Sequence, residues 1–173
     1  MRTRLFAGLP TRPVYYLALV LFVLAASYYY GTAYRDCTAH ATLRDRVGAV
    51  IERSGGANTS NSFRLSAITD FAWDRADILV NFKPDGTTAD CPFGWDWSRE
   101  KRDALVADDL LTVVVFSQSG NIVNYLEYRR DWADFLDVAN PYTPSTAVFK
   151  VRRSPTDPPT FILTPQSLDS IVQ

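Results

Sequence analysis

Val14-Tyr15-Tyr16-Leu17-Ala18-Leu19-Val20-Leu21-Phe22-Val23-Leu24-Ala25-Ala26-Ser27-Tyr28-Tyr29-Tyr30 contains neither a charge nor a proline, and Gly31-Thr32-Ala33-Tyr34 extend it to 21 uncharged residues before Arg35. At about 1.5 Å of rise per helical residue, such a stretch crosses the roughly 30 Å of a bilayer's hydrocarbon core. It predicts a transmembrane helix over residues 14–34. Tyr15 and Tyr16 at one end, and Tyr28, Tyr29, Tyr30 and Tyr34 at the other, stand where amphipathic rings favour the two membrane interfaces.

Working outward, Arg2, Arg4 and Arg12 precede the stretch without an acidic residue, while Arg35, Arg44 and Arg46 follow it interleaved with Asp36 and Asp45. The positive-inside tendency then puts residues 1–13 in the cytoplasm as a basic tail and everything after the helix outside. The predicted location is a bacterial inner membrane, crossed once, with a periplasmic or extracellular C-terminal domain. A cleaved signal peptide is the rival reading, with Ala25 and Ser27, or Gly31 and Ala33, as the small residues before the cut. It would yield a secreted protein and leaves residues 35–173 on the same side.

The part beyond Tyr34 holds 15 of the 18 basic residues and all 19 acidic ones, a net charge of −4. Nucleic acid is not expected as a partner, because its binding depends on basic patches that neutralise phosphates. Arginine far outnumbers lysine and aspartate far outnumbers glutamate, the skew of a GC-rich bacterial genome. The two cysteines, Cys37 and Cys91, both fall in the exported part, where an oxidising compartment allows a disulfide. His40 is the single histidine, and two thiols plus one imidazole at this spacing match no zinc pattern, so neither a metal nor a cofactor is expected.

Residues 35–62 read as a juxtamembrane helix and loop, the helix either continuing the membrane segment or standing apart from it. Leu43, Val47, Val50 and Ile51 give it one apolar face, Ser54-Gly55-Gly56 end it, and residues 57–62 form a polar loop. Residues 63–173 read as one extracytoplasmic domain. Alternation predicts a strand over residues 73–80 and Asp85-Gly86 a turn; Ser98 caps a helix running to Val106. Two β-branched runs, residues 110–116 and 122–128, flank a Ser-Gly-Asn turn as a hairpin. Residues 129–136 read as a short helix or turn, and strands follow over residues 146–151 and 160–163, with Pro165 ending the pairing. The predicted fold is α+β: a transmembrane helix, then an antiparallel meander of four to five strands with two helices.

Phe71-x-Trp73-Asp74 entering a strand, Tyr128-Arg129 closing the hairpin, Asp134-Phe135, and Ala147-Val148-Phe149 resemble a family of small, uncharacterised bacterial membrane-anchored or secreted proteins. The resemblance covers roughly residues 70–152 and implies a membrane-anchored or secreted location but no activity. Asn81-Phe82-Lys83-Pro84 stands where the family carries a Pro-Tyr pair.

For chemistry, Cys37-x-x-His40 on one helix juxtaposes a thiol with an imidazole, the pairing a nucleophile needs, although a disulfide would consume it. Asp74 with Asp77, and Asp108 with Asp109, are the candidate acid–base carboxylates. Aromatic rings beside charges are the richer pattern, because tryptophan, tyrosine and arginine supply most contact energy at interfaces. The candidate binding residues are Trp95, Asp96, Trp97, Tyr128, Arg129 and Arg130; Trp73 and Trp132 are expected in the core. The expected function is a non-enzymatic, membrane-anchored module that binds an envelope or effector protein. Two alternatives stand beside it: a hydrolase of envelope glycans or lipids that uses aspartates, and an assembly protein that acts through its membrane helix.

Overall fold

The computed structural model describes residues 11–55, 62–80, 90–156 and 158–166. The N-terminal basic tail up to residue 10, most of the loop expected over residues 57–62, and the Asp85-Gly86 turn lie outside them. A single α-helix, α1 (Thr11–Ser54, 44 residues), joins the apolar stretch to the amphipathic one without a break. Val14 to Leu24 and Tyr28 to Tyr30 are exposed, and this part is long and apolar enough to cross a membrane or to act as a signal sequence. From Cys37 onward the same helix turns one face inward: Cys37, Leu43, Val47 and Ile51 are buried, each aliphatic side chain contributing about 1.5–3 kcal/mol. Val50 packs half-buried beside them. The segment that reads as juxtamembrane is thus a wall of the domain's own core.

Among the described residues, seven strands form two sheets. The first to be completed is a meander of β2 (Arg75–Val80), β3 (Leu111–Gln118) and β4 (Asn121–Arg129). Ser119 and Gly120, both at positive φ (51° and 81°), make the tight hairpin turn between β3 and β4. The second sheet, in spatial order β1 (Ser62–Arg64), β6 (Val148–Arg153), β7 (Phe161–Pro165) and β5 (Ala133–Phe135), is antiparallel except for the parallel β5–β7 pair. The expected single meander is therefore two sheets, and residues 133–135, expected as helix or turn, are a strand. Asp134-Phe135 pairs with β7 across more than twenty residues of chain, a long-range contact that outweighs local preference.

Both sheets and α1 share one core. Val114, Phe116 and Leu126 of the meander meet Phe135, Phe149 and Leu163 of the second sheet and the buried face of α1. The other face of the meander is covered by α2 (Arg99–Ala107), where Leu105 packs on Leu111 and Val113. Being covered on both faces explains why β3 is apolar along almost its whole length instead of alternating. Ser98 caps α2, its hydroxyl accepting the Lys101 N–H at 3.3 Å.

Candidate functional site

Residues 91–97 are fixed to α1 at three points. Cys91 is bonded to Cys37, with Cα atoms 5.8 Å apart. Asp96 is buried and forms a 2.6 Å ion pair with Arg44. Trp95 sets its ring edge-on to Tyr34, with centroids 5.0 Å apart. Together these hold Trp97 beside the helix, where two cations lie over its ring, the Arg44 guanidinium at 4.6 Å and the Lys101 ammonium at 4.7 Å from the centroid.

A cleft of about 320 Å³ opens between α1, Trp97 and the end of β4. Arg44, Gly48 and Glu52 recur every four residues and so line one face of the helix, with Asp45 and Ala49 alongside. Opposite stand Tyr128, Arg129 and Trp132. The rings of Tyr128 and Trp132 stack at 5.3 Å, and the Tyr128 hydroxyl donates to the Arg44 carbonyl at 2.6 Å. Gly48 lies against this wall: a Cβ there would make ordinary van der Waals contact with Trp132 at 3.5 Å and the Tyr128 hydroxyl at 3.7 Å. Burial pushes the Tyr128 phenol above the ordinary tyrosine range, so it stays a neutral hydrogen-bond donor. The cleft presents flat aromatic surface with Arg44 and Arg129 on one hand and Asp45 and Glu52 on the other.

The candidate binding residues are thereby sorted. Trp97, Tyr128 and Arg129 converge on the cleft. Trp95 and Asp96 line, with Trp97, a larger concavity nearer the apolar part of α1. Asp96 is buried against Arg44 and fixes the loop in place. Arg130 turns away, paired with Asp134 at 2.9 Å and donating to the Asp109 carbonyl. Arg129 pairs with Asp131 at the rim. Trp132, expected in the core, is half-buried and shows one edge to the cleft, whereas Trp73 is buried. The helix residues were missed; their i, i+4, i+8 spacing around a glycine, on the edge of the apolar face, was the available signal.

The catalytic candidates have structural duties. A carboxylate oxygen of Asp74 accepts the Ser119 N–H at 2.7 Å and holds the hairpin turn, and the two oxygens of Asp77 accept from Nε and Nη2 of Arg75. Asp108 and Asp109 close the end of α2, the latter at a φ of 55°. Cys37 has no thiol to offer, since it is in the disulfide. Among the described residues no three histidine, cysteine or carboxylate side chains cluster as metal ligands. Beneath α2 a second buried pair, Arg102 with both oxygens of Glu127 at 2.7 and 2.8 Å, neutralises the other buried carboxylate among the described residues.

No protein-family model, curated protein or solved structure matches the chain.

Proposed function

We propose that the protein is a membrane-anchored binding module, crossing the bacterial inner membrane once through residues 14–34 and holding its α+β domain outside the cytoplasm. The anchor reading is supported by the exposed apolar part of α1, and the outside placement by the Cys37–Cys91 bond, which suits an oxidising compartment. Because α1 is one helix, the domain cannot swivel on a linker; it stands on its anchor as on a post. Secretion after signal cleavage would remove the post and leave the same domain free.

The observation that carries the binding role is the cleft walled by Trp97, Tyr128 and Trp132 and rimmed by charges of both signs. It matches the aromatic-and-arginine composition of contact hot spots, and its size suits one or two side chains of a protein partner. Gly48 lies 14 residues beyond Tyr34, so the cleft would face a partner about 20 Å above the membrane surface. An envelope protein or a delivered effector meets that requirement.

A photo-crosslinking residue placed at Ala49, exposed within the cleft, tests the proposal in the living envelope. A discrete adduct is expected that is absent when the same residue replaces Thr156 and is lost on Trp97→Ala. Adducts no stronger at Ala49 than at Thr156 would overturn the cleft as the recognition site. Exchanging residues 14–34 for an unrelated apolar helix separates the assembly reading, in which that exchange abolishes function and the cleft variant does not.

A further inference from the structure

Apart from the apolar part of α1, the two most exposed large hydrophobic side chains among the described residues are Phe93 (80% exposed) and Ile122 (67%). They lie far apart in sequence, and both sit level with the end of the apolar stretch. For Phe93 the contacts are direct. Trp95 meets Tyr34, Phe93 leans on Trp95 with centroids 5.5 Å apart, and the concavity of about 810 Å³ beneath the loop is lined by Tyr29, Tyr30 and Ala33 as well as Phe93 and Trp95. The loop therefore hangs beside residues of the apolar stretch itself.

For Ile122 the level follows from the way β4 runs along α1. The Tyr125 ring lies against His40 at 3.9 Å, the Tyr128 hydroxyl reaches the Arg44 carbonyl, and Trp132 stands over Gly48. Strand and helix thus climb together away from the apolar end. Ile122 precedes Tyr125 by three residues, somewhat less than the roughly 10 Å of a regular strand because a bulge at Val123 shifts the register. Tyr34 precedes His40 by six, about 9 Å of helix. Ile122 and its half-exposed neighbour Val123 accordingly share the height of Tyr34, as does the exposed Arg35.

Phe93 adds a backbone observation. It holds a left-handed φ of 58°, a conformation that costs a residue with a Cβ roughly 1–2 kcal/mol, yet its side chain is left in the open. The tilted contact with Trp95, which leaves the ring 80% exposed, does not recover all of that cost. A bilayer at this height would, because an aromatic ring gains most at the boundary between headgroups and acyl chains.

Resting on the membrane-anchor reading, we propose that the Phe93–Trp95 loop and the start of β4 beside the hairpin turn, Ile122 and Val123, dip into the outer interface of the same bilayer that α1 crosses. Three contacts then replace one: the helix, the aromatic loop held by Cys37–Cys91, and the start of β4. The occupant of this apolar face is lipid, as its continuity with the apolar stretch of α1 requires. The consequence is a fixed tilt and rotation of the domain, which aims the cleft above it in one direction along the membrane.

The test uses the full chain in vesicles of phosphatidylcholine with a minor share of phosphatidylglycerol. A fluorescent non-canonical residue is introduced singly at Phe93, Ile122, Val20 or Thr156, and the lipids are brominated either just below the glycerol or near the chain ends. Phe93 and Ile122 probes are expected to lose most of their emission to the shallow bromines and little to the deep ones, the Val20 probe to respond to the deep bromines, and the Thr156 probe to neither. Emission at Phe93 and Ile122 that matches Thr156 while Val20 is quenched would overturn the dipping loops and leave the anchor standing; a second copy or a protein would then be the cover for that face. A Val20 probe untouched by any bromine would overturn the anchor and the loops together. Absence of free thiols in each variant shows that the domain has folded with its disulfide.

Discussion

Arg44 and Asp96 meet at 2.6 Å where the aromatic loop crosses α1, the carboxylate fully buried and the guanidinium nearly so. The same Arg44 covers Trp97 and offers its carbonyl to Tyr128, so one helix residue joins the disulfide-tethered loop, the cleft and the meander. Asp96→Asn keeps the shape and removes the charge, leaving Arg44 without its counterion. Breaking a buried pair from one side costs about 3–5 kcal/mol, and a loss toward the lower end is expected because Arg44 keeps some access to water. Urea unfolding of the variant and the parent measures it; a change within a few tenths of a kcal/mol would show that the pair does not hold the loop.

Arg102 and Glu127 set the opposite expectation for a double change. Burial pushes the Glu127 carboxyl up from its ordinary value, against the pull of the Arg102 fork, so either partner left alone sits badly in the interior. Arg102→Met or Glu127→Leu alone is expected to lose about 3–5 kcal/mol, and the two together to recover most of it. A double variant as unstable as the worse single one, by thermal unfolding, would contradict this.

Gly55 ends α1 against Phe161. A Cβ at this position would stand 2.5 and 2.6 Å from ring carbons of Phe161, inside any real contact distance. Gly55→Ala is expected to displace the ring, and with it the Trp132 edge it touches, at a cost of about 1–3 kcal/mol. Unfolding midpoints of Gly55→Ala alone and combined with Phe161→Val check the cause: the smaller side chain should relieve most of the loss.

Much of this was legible beforehand. The apolar stretch, the amphipathic run from Leu43 to Ile51, the capped α2 and the β3–β4 hairpin each carry a local signal, periodic or chemical, that survives in the fold. The second sheet was not legible as such. Its strands β1 and β5 are three residues long and exist through partners more than twenty residues away, so no window of sequence contains the reason for them. The cleft was half legible. Trp97, Tyr128 and Arg129 stand out by residue type, but their meeting with Arg44, Gly48 and Glu52 depends on how α1 lies along β4. Asp96 shows the limit of composition: an aspartate between two tryptophans suggests an exposed contact, and it is a buried tie.

His40 supplies a pH dependence. Its Nδ1–H donates to the Tyr125 carbonyl at 3.2 Å and its ring stacks on Tyr125; burial lowers its pKa below the ordinary histidine value. The folded chain thus takes up the proton less readily than the unfolded one, so stability is full above the unfolded value of about 6.5 and falls as pH drops below it. His40→Gln should flatten the decline in melting temperature between about pH 7 and pH 5 relative to the parent. Equal slopes would show that the imidazole titrates freely. As the only histidine, it can also be followed directly by its imidazole NMR signals.

The placement of α1 across a membrane underlies both the binding role and the interfacial contacts proposed above. Intact cells with a permeabilised outer envelope, treated with protease and then fractionated, test it in one step. The expected result is digestion of the domain beyond residue 34 from outside, with a fragment containing residues 14–34 retained in alkali-washed membranes and no labelling of Cys37 or Cys91 by a thiol reagent before reduction. Full-length protein recovered from the soluble cell interior, protease-resistant until lysis and with both thiols reactive, would contradict it.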